Sequence, residues 1–326
     1  MSITDAGRPG GAPHPPSTPL VPPTRRDVHR RPRWRLPVSS LLIAVVSLIG
    51  VALLLYPMAA SWFSAVDQAR EIDRLTQGVT DLGAETLRTR LAEAREYNGS
   101  LPGAGAAVAA GERLPLADDR RRADTERYAS LLRGDADGLM ARIRIPAIDL
   151  DLPVYHGTSD EVLEHGVGHL EGTALPVGGE STHSVLTGHR GLASAELFSR
   201  LDQVDVGDTF TIEVFGEVLT YRVMDTQVVE PDDTESLLVQ PGEDLVTLVT
   251  CTPLGINTHR ILVTGERVIP TPRSDLDAAG ESPDIPGFPW WAVIAGGTVL
   301  AVGSYVWLSG RPPRRTTAAA DPPQDD

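Results

Sequence analysis

The stretch Asp244 to Val263, DLVTLVTCTPLGINTHRILV, holds the only cysteine among 326 residues, Cys251. A thiol attacks as its thiolate, and a departing amine must then be protonated by a neighbouring acid, most often histidine. The chain offers eight: His14, His29, His156, His165, His169, His183, His189 and His259. His189 stands apart. It lies in Thr187-Gly188-His189-Arg190-Gly191, directly after the apolar Ser184-Val185-Leu186, where two glycines leave it room to face a cleft. Arg260 follows the cysteine by nine residues. Its planar fork of donors suits a carbonyl or a developing oxyanion. Thr250 offers a backbone or hydroxyl donor to the same oxygen. The chemistry these types support is acyl transfer through a thioester.

The elements that must position them can be read locally. Leu245 to Thr250 is apolar or β-branched throughout and predicts a strand ending at the cysteine. Pro253 and Gly255 punctuate a loop, and Thr258 to Ile269 predicts the next strand. If these two strands lie side by side, sulfur and guanidinium face one volume. Strand alternation then points His259 and Arg190 away from the faces used by Arg260 and His189, as support rather than chemistry.

Upstream, Arg142 to Ile145 and Ile148 to Val154 predict strands about Pro146. Asp160 to Gly166 predicts a short helix capped by Ser159 or Asp160. Val167 to Glu171 and Ser184 to Thr187 predict strands, and Ala193 to Leu201 a short helix. Thr209 to Val214 and Val218 to Val229 predict a hairpin over Phe215-Gly216-Glu217. At least seven short strands with brief helices indicate an all-β barrel.

The phrases TGHRG, TLVTC and the downstream Arg260 resemble the sortase family of cysteine transpeptidases. The resemblance runs from about Gly138 to Arg267 and is nearest to the pilus-building branch, class C. It implies a closed eight-stranded β-barrel and no cofactor. Cys251 would cleave an LPxTG-like sorting signal between Thr and Gly, with His189 moving the proton and Arg260 holding the peptide carbonyl. The thioacyl group would pass to a lysine amine of a pilin. Sortases of this branch commonly carry a lid anchored by an Asp-Pro-aromatic motif. Here Asp118 and Asp119 are the lid candidates, with no Pro-aromatic pair after them. Leu114 to Asp118, LPLAD, faintly resembles a sorting signal. Two other readings are a housekeeping sortase that loads cell-wall precursor and a non-catalytic membrane scaffold.

Composition narrows the partners. Net charge is −15, and all 29 basic residues are arginine. Residues 1–35 carry a net +5, whereas residues 36–308 hold 19 arginines against 39 acids. So acidic a middle excludes nucleic acid as partner. One cysteine excludes an internal disulfide and CxxC metal sites. His156, His165, His169 and His183 show no metal-ligand spacing, and no metal is expected.

The expected order is a disordered cytoplasmic tail (1–35), a transmembrane helix (36–57), and a helical stalk with a possible lid (58–134). The catalytic barrel (135–270), a Pro-rich linker (271–286), a second transmembrane helix (287–309) and a cytoplasmic tail (310–326) follow. Leu36 to Tyr56 has 21 residues without charge, enough to span about 30 Å of hydrocarbon. Arginines outside each apolar run predict both termini in the cytoplasm and the barrel on the extracellular side of the cell membrane. Asn98-Gly99-Ser100 reads as a turn. Nothing in the sequence sets the oligomeric state.

Overall fold

The computed structural model describes residues 34–101, 118–134 and 138–311, with backbone alone at 118–123. Eight strands close a barrel: β1 Leu139–Ile145, β2 Leu150–His156, β3 Val167–His169, β4 Thr182–Thr187, β5 Thr209–Val214, β6 Glu217–Val229, β7 Asp244–Thr252 and β8 His259–Arg267. Their order around the barrel is β1-β2-β3-β4-β7-β8-β6-β5. The predicted all-β barrel is therefore present, with strand ends shifted by a few residues. β3 is shorter than predicted, ending at His169.

Alternation fills the barrel. Ile143, Val154, Phe210, Ile212, Tyr221, Val246, Leu248 and Val263 lie buried in one interior cluster. Phe210 and Tyr221 stack across the β5–β6 pair at 5.5 Å between ring centroids. The opposite face of β4, β7 and β8 carries a small separate cluster, Val185, Leu237 and Leu262, with Val229 and Val249 packed on it. This outer face bears on the site.

The predicted helix Ala193–Leu201 is instead a 3-10 segment, Leu197–Gln203, kinked at Phe198. Leu197, Phe198 and Leu201 are buried in the interior cluster, so they cap one barrel end. Three apolar groups at spacings of one and three suit a tight turn over a barrel mouth better than a helix face. Removing the Phe198 ring would cost about 3–5 kcal/mol.

Helix α1, Val38–Asp81, is continuous from the apolar run into the amphipathic one, with Pro57 inside it. No break separates a membrane segment from a stalk there. Its distal half buries Val66, Ala69, Ile72 and Leu75, spaced by three, against the barrel. Burying a side chain the size of Ile72 or Leu75 contributes about 1.5–3 kcal/mol. Gln68 adds a hydrogen bond to the His165 carbonyl at 3.0 Å. Helix α2, Ala84–Ser100, follows the break at Gly83 and buries Leu91, Ala94 and Tyr97. Asn98 is not in a turn. It ends α2 and pairs with Leu175 through both amide atoms, at 2.9 and 2.7 Å.

Helix α3, Asp118–Ser130, reaches β1 through a short connection. The lid candidates Asp118 and Asp119 open this helix, but their side chains, and residues 114–117 of the LPLAD stretch, lie outside the described residues. The far end of α3 is fixed. Tyr128 is buried, stacks on His169 at 5.6 Å and hydrogen-bonds its ring at 2.8 Å. After α4, Asp160–His165, and the barrel come α5, Arg273–Asp277, and α6, Trp290–Ser309.

The segment between barrel and α6 is docked, not a free linker. Arg142, which is 2% exposed, pairs with Asp151 and donates to the Glu281 carbonyl at 2.6 Å. Arg144 donates to the Ala278 carbonyl at 2.7 Å, and Asp275 accepts from Thr220 at 2.7 Å. Both α1 and α6 are long and apolar enough to cross a membrane. They run antiparallel. Trp34 and Arg35 meet Trp307 and Gly310 at one end, and Trp62 meets Gly287 at the other.

Candidate active site

β7 is the central strand of the site. It pairs antiparallel with β8, placing Cys251 directly opposite Arg260. It pairs parallel with β4 at a constant offset of 62 residues, from Thr182 opposite Asp244 to Thr187 opposite Val249. Carried two residues further, that offset sets His189 beside Cys251. The backbone follows it at first: Gly188 N–H donates to the Val249 carbonyl at 3.0 Å. Cys251 and Arg260 are thus paired across β7 and β8, and His189 follows β4 two residues past its last paired position, at the same barrel end. Alternation puts Cys251 on the face of Thr247 and Val249, the outer face.

Each side chain has a distinct setting. Cys251 is half-buried and free of any disulfide. His189 is also half-buried, and its ring makes no hydrogen bond among the described residues. Arg260 folds over the β7–β8 turn, donating from Nη1 to the carbonyls of Asn257 at 3.1 Å and His259 at 3.0 Å. Its Nε and Nη2 make no bond among the described residues and remain able to meet an oxygen. His259 is exposed, and among the described residues its ring bonds only Thr258, at 2.9 Å. Arg190 is committed elsewhere, to Asp202 at 2.7 Å, Thr252 at 2.9 Å and the Ser199 carbonyl at 3.3 Å.

Thr250 requires a correction. Its hydroxyl is not a donor open to substrate. The residue is 1% exposed, and Oγ1 donates to the Gly188 carbonyl at 2.7 Å. As an even-numbered position between outward residues, it points to the opposite side of the sheet. The two glycines around His189 also have a steric reason. A Cβ at Gly188 would meet the Phe198 ring at 2.7 Å, and one at Gly191 would clash with the Leu254 side chain. Gly191 moreover turns the chain at φ +77°.

A domain model of the sortase family matches residues 143–268. Sortase D of Bacillus subtilis is 32% identical over 138 residues, 41% of this chain and 65% of that protein. Sortase A of Streptococcus agalactiae is 31% identical over 127 residues, 38% of this chain and 51% of that protein. The chain thus spans about half to two thirds of these curated relatives. Among solved structures, sortase C1 of Streptococcus agalactiae is 42% identical with a TM-score of 0.55, covering 62% of this chain and 100% of that one. The chain belongs to the sortase family. A lid mutant of sortase A from Corynebacterium diphtheriae is also 42% identical, with a TM-score of 0.52, covering 59% of this chain and 98% of that one. Sortase C of Streptococcus pneumoniae, described in terms of catalysis and pilin substrate specificity, is 39% identical with a TM-score of 0.51, over 61% and 96%.

The four histidines from His156 to His183 all contact main-chain carbonyls. His183 bonds Thr247 at 2.7 Å and the Leu238 carbonyl at 3.0 Å, tying β4 to the β6–β7 loop. His156 lies 2.8 Å from the carbonyls of both Gly138 and Leu131. His165 meets the Glu161 carbonyl within its own helix at 2.8 Å. His169 is fully buried between Tyr128 and the Ala174 carbonyl, and burial lowers its pKa to about 4. Burial also lowers His156 and His183.

The consequence for stability has a definite sign. Unfolding returns His169 to about 6.5, so between about pH 6.5 and 4 the unfolded chain binds more protons. Stability is full above that window and falls on acidification through it, by about 3 kcal/mol for His169. His169→Leu is expected to flatten the slope of unfolding free energy against pH between about 6.5 and 4, measured by denaturant titration. An unchanged slope would refute the assignment.

A cavity of about 780 Å³ lies elsewhere, between the barrel base and the two apolar helices. Trp62, Arg142, Glu196, Arg200 and Trp291 are in its wall, and Cys251 is not. It is the joint between barrel and helices, not the reaction site.

Proposed function

We propose that the chain is a membrane-anchored transpeptidase that cleaves an LPxTG-like sorting signal between Thr and Gly and transfers the acyl group to a pilin lysine. The observation that carries this reading is Cys251 on β7 directly opposite Arg260 on β8, with His189 two residues past the end of β4, the strand on the other side of β7. Cys251 Sγ attacks the Thr carbonyl carbon, and the C–N bond to Gly breaks. His189 gives its proton to the departing amine and later accepts one from the incoming amine. Arg260, with Nε and Nη2 uncommitted, holds the carbonyl and steadies the negative charge of the tetrahedral stage.

Likeness to sortase C structures over their whole lengths favours the pilus-building branch over a housekeeping role. The relatives described as lid mutants favour a lid ahead of the barrel, with Asp118 or Asp119 approaching the site. The antiparallel α1–α6 pair supports two spans with both termini inside and the barrel outside. Trp62 and Trp291, whose rings are 6.3 Å apart, would mark the outer interface, and Trp34, Trp307 and Arg311 the inner one.

The chain's lack of lysine supplies the test. An isopeptide needs an ε-amine, and a guanidinium stays protonated and does not replace it. The acceptor amine must therefore come from the substrate. Incubated with a sorting-signal protein whose lysines are methylated, the enzyme is expected to stop at the thioester and release acid slowly by hydrolysis. Unmodified lysines should restore cross-linked product on gels. Cross-linking that ignores lysine blocking, or a thiol-resistant adduct on the enzyme, would overturn the reading.

A further inference from the structure

We propose that Arg190 and Thr252 are positioning residues that set His189 laterally against Cys251, acting with the Thr250–Gly188 bond as a two-sided clamp. The inference rests on the nucleophile–base reading above.

The backbone alone does not hold this pair. The β4–β7 ladder ends with Thr187 opposite Val249 and the Gly188 N–H bond, and Gly191 then turns the chain away. His189 and Cys251 fall in the gap, where two parallel strands are free to splay. Side-chain bonds take over at the same offset of 62 residues. Thr250 Oγ1 donates to the Gly188 carbonyl at 2.7 Å, and Arg190 Nη1 donates to Thr252 Oγ1 at 2.9 Å. The residue on each side of the thiol thus grips the residue on each side of the imidazole.

Arg190 suits this role because its guanidinium is itself fixed. Nη2 meets Asp202 at 2.7 Å and Nε meets the Ser199 carbonyl at 3.3 Å, with the side chain 10% exposed. Ser199 Oγ in turn accepts from Gly191 N–H at 3.0 Å, and Phe198 N–H donates to the His189 carbonyl at 3.0 Å. The loop carrying the base is therefore anchored to the 3-10 segment that caps the barrel. On the far side of His189, the Arg190–Thr252 bond carries that anchoring across to β7. Three acceptors around one planar fork cannot be matched by an ammonium. A misplacement of about 1 Å between reacting groups costs about a hundredfold in rate.

The test uses the full chain in detergent, with an LPxTG peptide and, separately, iodoacetamide. Thr252→Val removes the hydroxyl at nearly constant volume, and Thr252→Ser keeps it. Thr252→Val is expected to lower kcat for thioester formation by about ten- to a hundredfold with KM within about twofold. Thr252→Ser should recover most of that loss. Arg190→Lys should be at least as slow as Thr252→Val, and the double variant no slower than Arg190→Lys, because both substitutions break the Arg190–Thr252 bond. The pH profile of Cys251 alkylation should move in Thr252→Val toward that of His189→Ala, which a merely structural loss would not cause. A wild-type kcat and alkylation profile in Thr252→Val, or multiplicative losses in the double variant, would overturn the clamp. If the wild type forms no thioester, the transpeptidase reading fails, and the alkylation profiles still decide the clamp. If wild type and His189→Ala then alkylate alike, there is no pair to position and the clamp falls too.

Discussion

Cys251→Ala is expected to abolish thioester formation, peptide cleavage and cross-linking together while leaving the barrel folded. No second thiol exists to substitute. Removing a covalent nucleophile that acts as one unit with its base lowers turnover by about 10⁴-fold or more. The fold should survive because Cys251 is half-buried at a strand end, outside the interior cluster. Unfolding midpoint and peptide turnover, measured on the same preparation, separate the two effects. Any thioester capture or transpeptidation by the alanine variant would show that another group does the chemistry.

Arg260→Lys is expected to lower kcat by about a hundredfold or more, although charge is kept. Arg260 Nη1 is spent on the Asn257 and His259 carbonyls, which hold the fork over the turn, while Nε and Nη2 make no bond among the described residues. A lysine has one nitrogen for both tasks. Meeting the turn carbonyls leaves nothing at the oxyanion, and reaching the oxyanion leaves the turn unheld. Loss of one donor to a developing oxyanion costs about 10²–10³-fold in kcat. Since the contact strengthens as charge develops, KM should change less than kcat. Near-wild-type turnover of the lysine variant would reduce Arg260 to a sheet-edge charge.

Much of this was readable because local pattern and chemistry coincide. The run Leu245 to Thr250 is strand-like in any context, and it ends on the sole cysteine. The same holds for the hairpin at Phe215-Gly216-Glu217 and for Ser159 as cap of α4, whose side chain accepts from Val162 N–H. What escaped depends on contacts distant in sequence. Asn98 has the local signature of a turn, yet Leu175 supplies both partners for its amide. The stretch 271–286 has a linker's composition, and only the buried Arg142 and half-buried Arg144, over 130 residues earlier, turn its carbonyls into anchors.

Thr250 illustrates the same limit at the site. Beside a nucleophile, a hydroxyl reads as a substrate donor. Its real direction is set by the register between β4 and β7, which is fixed by the closure of the barrel and not by either strand's sequence. The exchange of a predicted helix for the 3-10 cap at Leu197–Gln203 has a related cause. Phe198 and Leu201 are drawn over the barrel mouth, and tertiary burial overrides local periodicity.

The most direct measurement is intact-mass and peptide-mapping mass spectrometry of the full chain after brief incubation with an LPxTG peptide and no amine acceptor. The account predicts one added mass, equal to the peptide up to its threonine acyl group, located on Cys251 and removed by hydroxylamine. It should be absent in Cys251→Ala and slow to form in His189→Ala. No adduct under conditions where the chain is folded, or an adduct that survives in Cys251→Ala, would contradict it.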